Sequence, residues 1–182
     1  MAKLVVNQFF ARETLKVAKD LIGTILTFGN CSGRIVEVEA YTNDEASHAH
    51  RRTDRSAIMY DTFGHVYVYF IYGMYHCLNF TTEKSQSGAV LIRALEPLSG
   101  IELMKKRRDV EDVRKLCNGP GKLCQALAID LKLNGTRIGD KVKLIEGSRG
   151  EVKTSPRIGI KKATDLNWRF FEAGNPFASR IK

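Results

Sequence analysis

An α+β fold, built on a curved and largely antiparallel β-sheet flanked by helices, is what the 182-residue sequence predicts. Three observations point there. Helical and strand-like patterns come in mixed order, without the strand–helix alternation of a parallel sheet. The longest strand-like run, Val66 to Phe80, is interrupted by a lone Gly73, as in a hairpin that protrudes at Tyr72-Gly73-Met74. The last third is a series of short strand-like runs separated by turns. The length suits one compact domain over residues 1–182. A hydrophobic fraction of 43% and a charged fraction of 27% exclude a disordered, collagen-like or coiled-coil chain.

The elements follow in order. Leu15, Ala18, Leu21 and Ile22 recur at helical spacing within residues 12–22, and Gly23 is placed to stop that helix. Thr24 to Phe28 and Arg34 to Tyr41 read as strands joined by a turn over Gly29 to Gly33. Residues 42–65 are polar and lack an apolar pattern; a stretch of that length inside a compact domain points to function. After the Val66–Phe80 hairpin, Ala89 to Leu95 is a strand, and Pro97 and Gly100 separate it from a basic helix over Ile101 to Arg108. Gly119-Pro120-Gly121-Lys122 leads into a short helix, Leu123 to Ala128. Lys141 to Glu146, Glu151 to Thr154, Arg157 to Ile160 and Trp168 to Phe171 read as short strands.

Lys and Arg number 29 against 20 Asp and Glu, a net charge of +9, which suggests a polyanionic partner, nucleic acid first. No run of about 18 apolar residues is present for a membrane span, and the first residues lack the apolar run of a signal peptide. The expectation is a cytosolic protein with no membrane partner. Cys31, Cys77, Cys117 and Cys124 form no Cys-x-x-Cys pair and read as buried or semi-buried free thiols. His48-Ala49-His50 could put two imidazoles on one side of an extended strand, but no third ligand lies nearby; no metal site is predicted.

Three segments can carry chemistry. Side chains two apart on a strand share a face, so Glu37, Glu39 and Tyr41 point the same way at a strand end. One carboxylate there can activate water as a general base; on a half-exposed strand the same pattern is an ordinary charged edge. The tyrosine-rich hairpin can stack on bases or wedge between base pairs at its tip, or its tyrosines can simply pack the sheet. Gly119-Pro120-Gly121-Lys122 offers helix-start amides and a lysine to phosphate, without the full spacing of a nucleotide-triphosphate loop.

These residues resemble the alkyladenine (3-methyladenine) DNA glycosylase family, over most of the chain. The landmarks run from Arg34-Ile35-Val36-Glu37-Val38-Glu39-Ala40-Tyr41 and His48 to Tyr67-Val68-Tyr69-Phe70-Ile71-Tyr72-Gly73-Met74-Tyr75 and Asn79. They continue through Leu91-Ile92-Arg93-Ala94-Leu95-Glu96-Pro97, Asn118-Gly119-Pro120-Gly121-Lys122-Leu123, Pro156-Arg157-Ile158-Gly159-Ile160 and Gly174-Asn175-Pro176-Phe177. The short N-terminus is similar to the bacterial form. The resemblance implies a monomeric, monofunctional enzyme without cofactor or metal, whose partner is damaged double-stranded DNA. Such an enzyme flips a damaged purine out of the duplex and hydrolyses its N-glycosidic bond. It implies Glu39 as general base and Arg93 as the residue that helps hold the attacking water. Tyr41, His48, Tyr69 and Asn79 would form the base pocket. Tyr72 would wedge into the vacated stack, and Met74, Tyr75, Arg55, Met59 and Lys122 would make further DNA contacts. No lysine stands in the motif as a Schiff-base nucleophile, so no strand-cleaving lyase step is expected. Thr53-Asp54-Arg55 departs from the family's Thr-Pro-Arg. The competing reading is a nucleic-acid-binding module without catalysis, which would need the basic surface and aromatic hairpin but neither Glu39 nor Arg93.

Overall fold

The computed structural model describes residue 5 and residues 7–179. Eight strands form one antiparallel sheet: β1 (Ile25–Phe28), β2 (Cys31–Tyr41), β3 (Val66–Ile71), β4 (Tyr75–Thr82), β5 (Gly88–Ser99), β6 (Val142–Ile145), β7 (Val152–Ser155) and β8 (Arg169–Glu172). Their order is β3-β4-β5-β2-β1-β6, with β8 pairing to both β2 and β7. The helices are α1 (Asn7–Phe10), α2 (Thr14–Leu21), α3 (Ala57–Asp61), α4 (Ile101–Arg108) and α5 (Pro120–Leu127). Val17, Ala18 and Leu21 of α2, Met104 of α4 and Leu123, Cys124 and Leu127 of α5 join Leu26, Ile35, Val38, Leu78 and Ile92 of the sheet in the main core. A second, smaller cluster of Ala49, Met59, Tyr67 and Ala89 packs against Tyr41 and Tyr69. No helix among the described residues is long and apolar enough to cross a membrane.

Strand β2 is hydrogen-bonded along both edges. β5 runs beside its length, while β1 covers Cys31–Arg34 and β8 covers Glu37–Glu39 on the other side. The ladder to β5 is irregular at one place. Ile35 pairs with Leu95, Glu37 with Ala94 and Val38 with Ile92, so Val36 on β2 and Arg93 on β5 are skipped. An extra residue in a strand inverts the alternation beyond it and re-aims side chains. Before the bulge Cys31 and Ile35 face the main core; after it Val38 and Ala40 do. Glu37, Glu39 and Tyr41 are thereby turned away from that core.

The structure corrects several sequence-based boundaries. The β1–β2 turn is only Gly29-Asn30, since Phe28 pairs with Cys31 and Gly29 takes φ 56. Helix α5 begins at Pro120, whose missing amide is harmless in the first helical turn. Residues 42–65 contain α3 and a 3-10 turn over His48–His50, so His48 and His50 are not strand neighbours on one side. Arg157 to Ile160 is a loop, not a strand: Arg157 is committed to Asp44 and the Ala40 carbonyl, and Gly159 takes φ 77.

Candidate active site

The β3–β4 hairpin pairs Ile71 with Tyr75 and turns through Tyr72-Gly73-Met74. Met74 N–H donates to the Ile71 carbonyl at 3.3 Å, and both Tyr72 (φ 55) and Gly73 (φ 67) are left-handed. Glycine adopts that conformation freely, whereas a tyrosine pays for it by roughly 1–2 kcal/mol. Tyr72 is nonetheless 79% exposed and Met74 65%, so no packing compensates. At the base of the hairpin, Tyr75 lies against the first turn of α5; a Cβ on Gly121 would sit 3.0 Å from its ring.

Between hairpin, β2, α5 and the 42–65 segment lies a cavity of about 590 Å³, within the usual range of small-molecule sites. Tyr41, His48 and Tyr69 wall it, and Asn79, Met59, Tyr67, Cys77 and Leu91 line it more deeply. Tyr72, Tyr75 and the Gly119–Lys122 segment border it as well. Met59 is thus buried in the cavity wall, not on the outer surface. Arg55 donates to the Phe70 carbonyl at 2.8 Å and lies 5.1 Å above the Tyr69 ring. Lys122 is exposed and donates to Asn118 at 2.8 Å. Asn79 spends its amide NH2 on the carbonyls of Tyr67 and Cys77.

Glu39 lies directly behind this wall and is fully buried. Its Oε1 accepts the Ile158 amide at 2.6 Å; its Oε2 accepts the Tyr41 hydroxyl at 2.8 Å, with Arg93 Nη1 at 3.3 Å. A carboxylate has about four lone-pair sites, so three donors leave room for one more. Tyr41, Arg93 and Ile158 all line the cavity, and a small molecule there stands one group away from the carboxylate. Sequence alternation alone placed Glu37 beside Glu39 as an equivalent candidate. Glu37 is also wholly buried, but it faces Arg93, Arg169 and the Ser179 amide.

The electrostatics keep the phenols protonated. Burial, then the neighbouring Glu39, pushes the Tyr41 hydroxyl far up, so it remains a donor. Burial does the same for Tyr69 and raises Tyr67 to about 12. Burial works against the Arg93 charge, but Glu39 and Glu37 together outweigh it and its pKa is raised. His48 Nδ1 lies 2.9 Å from the Tyr67 hydroxyl, and its ring meets Tyr69 edge-on at 4.7 Å. Partial burial, then Arg55, holds His48 below its ordinary 6.5, hence neutral at pH 7.

Sequence reasoning missed two contributors. The Arg157 guanidinium stacks 4.6 Å from the Tyr41 ring and 5.1 Å from Trp168, fixing that wall from behind. Ile158 to Ile160 line the cavity as a loop; Pro156 just before so short a run and Gly159 within it were the signal against a strand.

Aromatic walls around the cavity, with a buried carboxylate and a guanidinium behind one edge, suit the class of proteins that take up a flat aromatic group. Comparison with known proteins narrows that class. Residues 8–176 match the family model described as methylpurine-DNA glycosylase. A protein of Prosthecochloris aestuarii is 46% identical over 189 residues, covering 97% of this chain and 91% of the relative. One of Rhodopseudomonas palustris is 46% identical over 179 residues (96% and 90%), and one of Methanoculleus marisnigri 43% over 185 (94% and 96%). All three are provisionally named 3-methyladenine DNA glycosylases. The chain belongs to the methylpurine-DNA glycosylase family.

Proposed function

We propose that this protein excises alkylated or deaminated purines, of the 3-methyladenine class, from double-stranded DNA. It acts as a monomer, by flipping the damaged nucleotide into the cavity and hydrolysing its N-glycosidic bond. The observation that carries this reading is the meeting of the Tyr41–His48–Tyr69 walls with the Glu39–Arg93 pair at one bulge of the β2–β5 ladder.

The steps follow from the parts. Flipping costs a few kcal/mol, least for a damaged or mispaired base; Tyr72 at the exposed tip fills the gap, and the basic residues around the mouth hold phosphates. Electron-rich ring faces favour a cationic base over a neutral one. Water entering from the cavity beside Tyr41 and Arg93 attacks C1′ of the sugar and gives a proton to the Glu39 carboxylate. The C1′–N bond breaks with its electron pair moving to the base; an N-alkylated cationic purine leaves neutral, and a deaminated purine does so by taking a proton from solvent as the bond breaks. Glu39 and Arg93 act on the developing oxocarbenium-like charge and on the water. The proposed reaction uses water and no amine nucleophile, so it leaves an intact abasic strand, and borohydride should trap no covalent adduct, Lys122 at the cavity border included.

The test is an excision assay on duplexes bearing 3-methyladenine, 7-methylguanine, hypoxanthine or ethenoadenine. Release of at least one free base by the wild type is expected. Lesion-specific binding with no release from any duplex would favour the non-catalytic module instead.

A further inference from the structure

We infer that Glu37, clamped by Arg169 and the Ser179 amide, is a positioning residue that aims the Arg93 guanidinium at Glu39 and the cavity. The inference rests on the reaction proposed above and adds a part to it. A guanidinium is a rigid planar fork, so fixing one edge sets the direction of the other. Arg93 Nε lies 3.1 Å from Glu37 Oε1, and its Nη1 lies 3.3 Å from Glu39 Oε2. Arg93 needs such a brace. It is the residue skipped in the β2–β5 ladder, so no β2 residue stands directly opposite its side chain.

Glu37 is itself held from two more directions. Arg169 Nε donates to its Oε1 at 2.7 Å, and the Ser179 N–H donates to its Oε2 at 2.6 Å. Arg169 is 1% exposed; it stacks 4.3 Å from the Phe171 ring and donates to the Ser155 hydroxyl at 2.9 Å and the Ser179 carbonyl at 3.0 Å. One residue thus ties the segment after β8 back onto β2. Stability is a weak reason for burying these charges, since apolar residues of similar volume commonly serve as well. Two carboxylates and two guanidiniums balance, and of the groups that Glu37 accepts from, Arg93 lines the cavity whereas Arg169 and Ser179 do not, so the path from Glu37 to the reaction runs through Arg93.

The experiment is single-turnover excision and lesion affinity for Glu37→Gln, alone and in an Arg93→Ala background. A displacement of about 1 Å in a reacting geometry can cost about 100-fold in rate. Glu37→Gln is expected to lose that order of rate with affinity kept, and to cost little more once Arg93 is gone. An equal loss in both backgrounds, or an affinity loss matching the rate loss, overturns the inference in favour of a folding role. Ser179→Pro deletes one donor to Glu37 without touching a core side chain, and should cost about tenfold in rate with lesion affinity kept; a parent-like rate removes the strap from the scheme. The Arg93 Nε–H resonance gives a readout independent of activity. It should shift in Glu37→Gln and Ser179→Pro; an unmoved resonance refutes the positioning even if the wild type excises nothing, a result that would separately overturn the proposed reaction.

Discussion

Glu39 and Glu37 differ by partners, not by type. Glu39 accepts from Tyr41, Ile158 and Arg93, all cavity residues, whereas Glu37 shares only Arg93 with it and otherwise accepts from Arg169 and Ser179 behind the site. Glu39→Gln keeps the shape and removes the proton acceptor, so excision should vanish while lesion binding persists; a single-turnover rate near the parent's sinks the assignment. Arg93→Ala should slow excision more than it weakens binding, because a guanidinium beside the attacking water matters mostly in the transition state. Equal losses in rate and affinity would make Arg93 a binding group. His48 offers a pH test. Its pKa is lowered from 6.5, so the neutral form, which does not repel a cationic base, holds at pH 7 and is lost only as pH falls below that value. Affinity for a cationic lesion should decline on acidification in the wild type and stay flatter in His48→Gln; parallel profiles would remove His48 from the effect.

The β3–β4 hairpin trades local stability for reach. Its tip holds a tyrosine in left-handed backbone with the ring in solvent. Tyr72→Gly should therefore raise stability by about 1 kcal/mol, while Tyr72→Ala and Tyr72→Gly both lose lesion capture. Base–aromatic stacking is worth on the order of 1–3 kcal/mol, so affinity should fall roughly 5- to 150-fold, and Tyr72→Phe or Tyr72→Trp should restore most of it. A melting-temperature drop in Tyr72→Ala as large as for a buried-core truncation would mean that Tyr72 packs the sheet. The hairpin was legible because glycine interrupts an alternating run at Gly73. Its contact with α5 was not, since Gly121 and Tyr75 are distant in sequence and meet only when the sheet curls.

Across the molecule, ion pairs join strands far apart in sequence. Arg34 on β2 bridges Glu96 and Glu172, and Glu172 also accepts from Gly150 and Asn175. The Arg34 hydrogen bond first, then the Gly150 amide, pulls the Glu172 carboxyl from 4.5 down to about 2. A depressed carboxyl stabilises the fold above its unfolded value and loses that contribution as pH falls through the folded one. The urea midpoint should therefore drop between pH 4.5 and about 2, with a shallower drop in Glu172→Gln; identical slopes would assign acid unfolding to other carboxylates.

Hydrophobic spacing and turn residues were enough to read the α+β class, the hairpin, a helix within residues 12–22 that the structure has at Thr14–Leu21, the helix over Ile101–Arg108, and the shared face of Glu39 and Tyr41. These are local properties, set by side-chain period and by residues that tolerate special backbone angles. The burial of Glu37 and Glu39 was not local. It needed β5 and β8 on the two edges of β2, and the β-bulge that skips Val36 and Arg93. A bulge is a mismatch between two strands, so neither strand's sequence contains it. The same holds for Arg157 behind Tyr41 and for Ser179 on Glu37, contacts between residues more than a hundred positions apart that only the closed sheet brings within hydrogen-bonding or stacking distance.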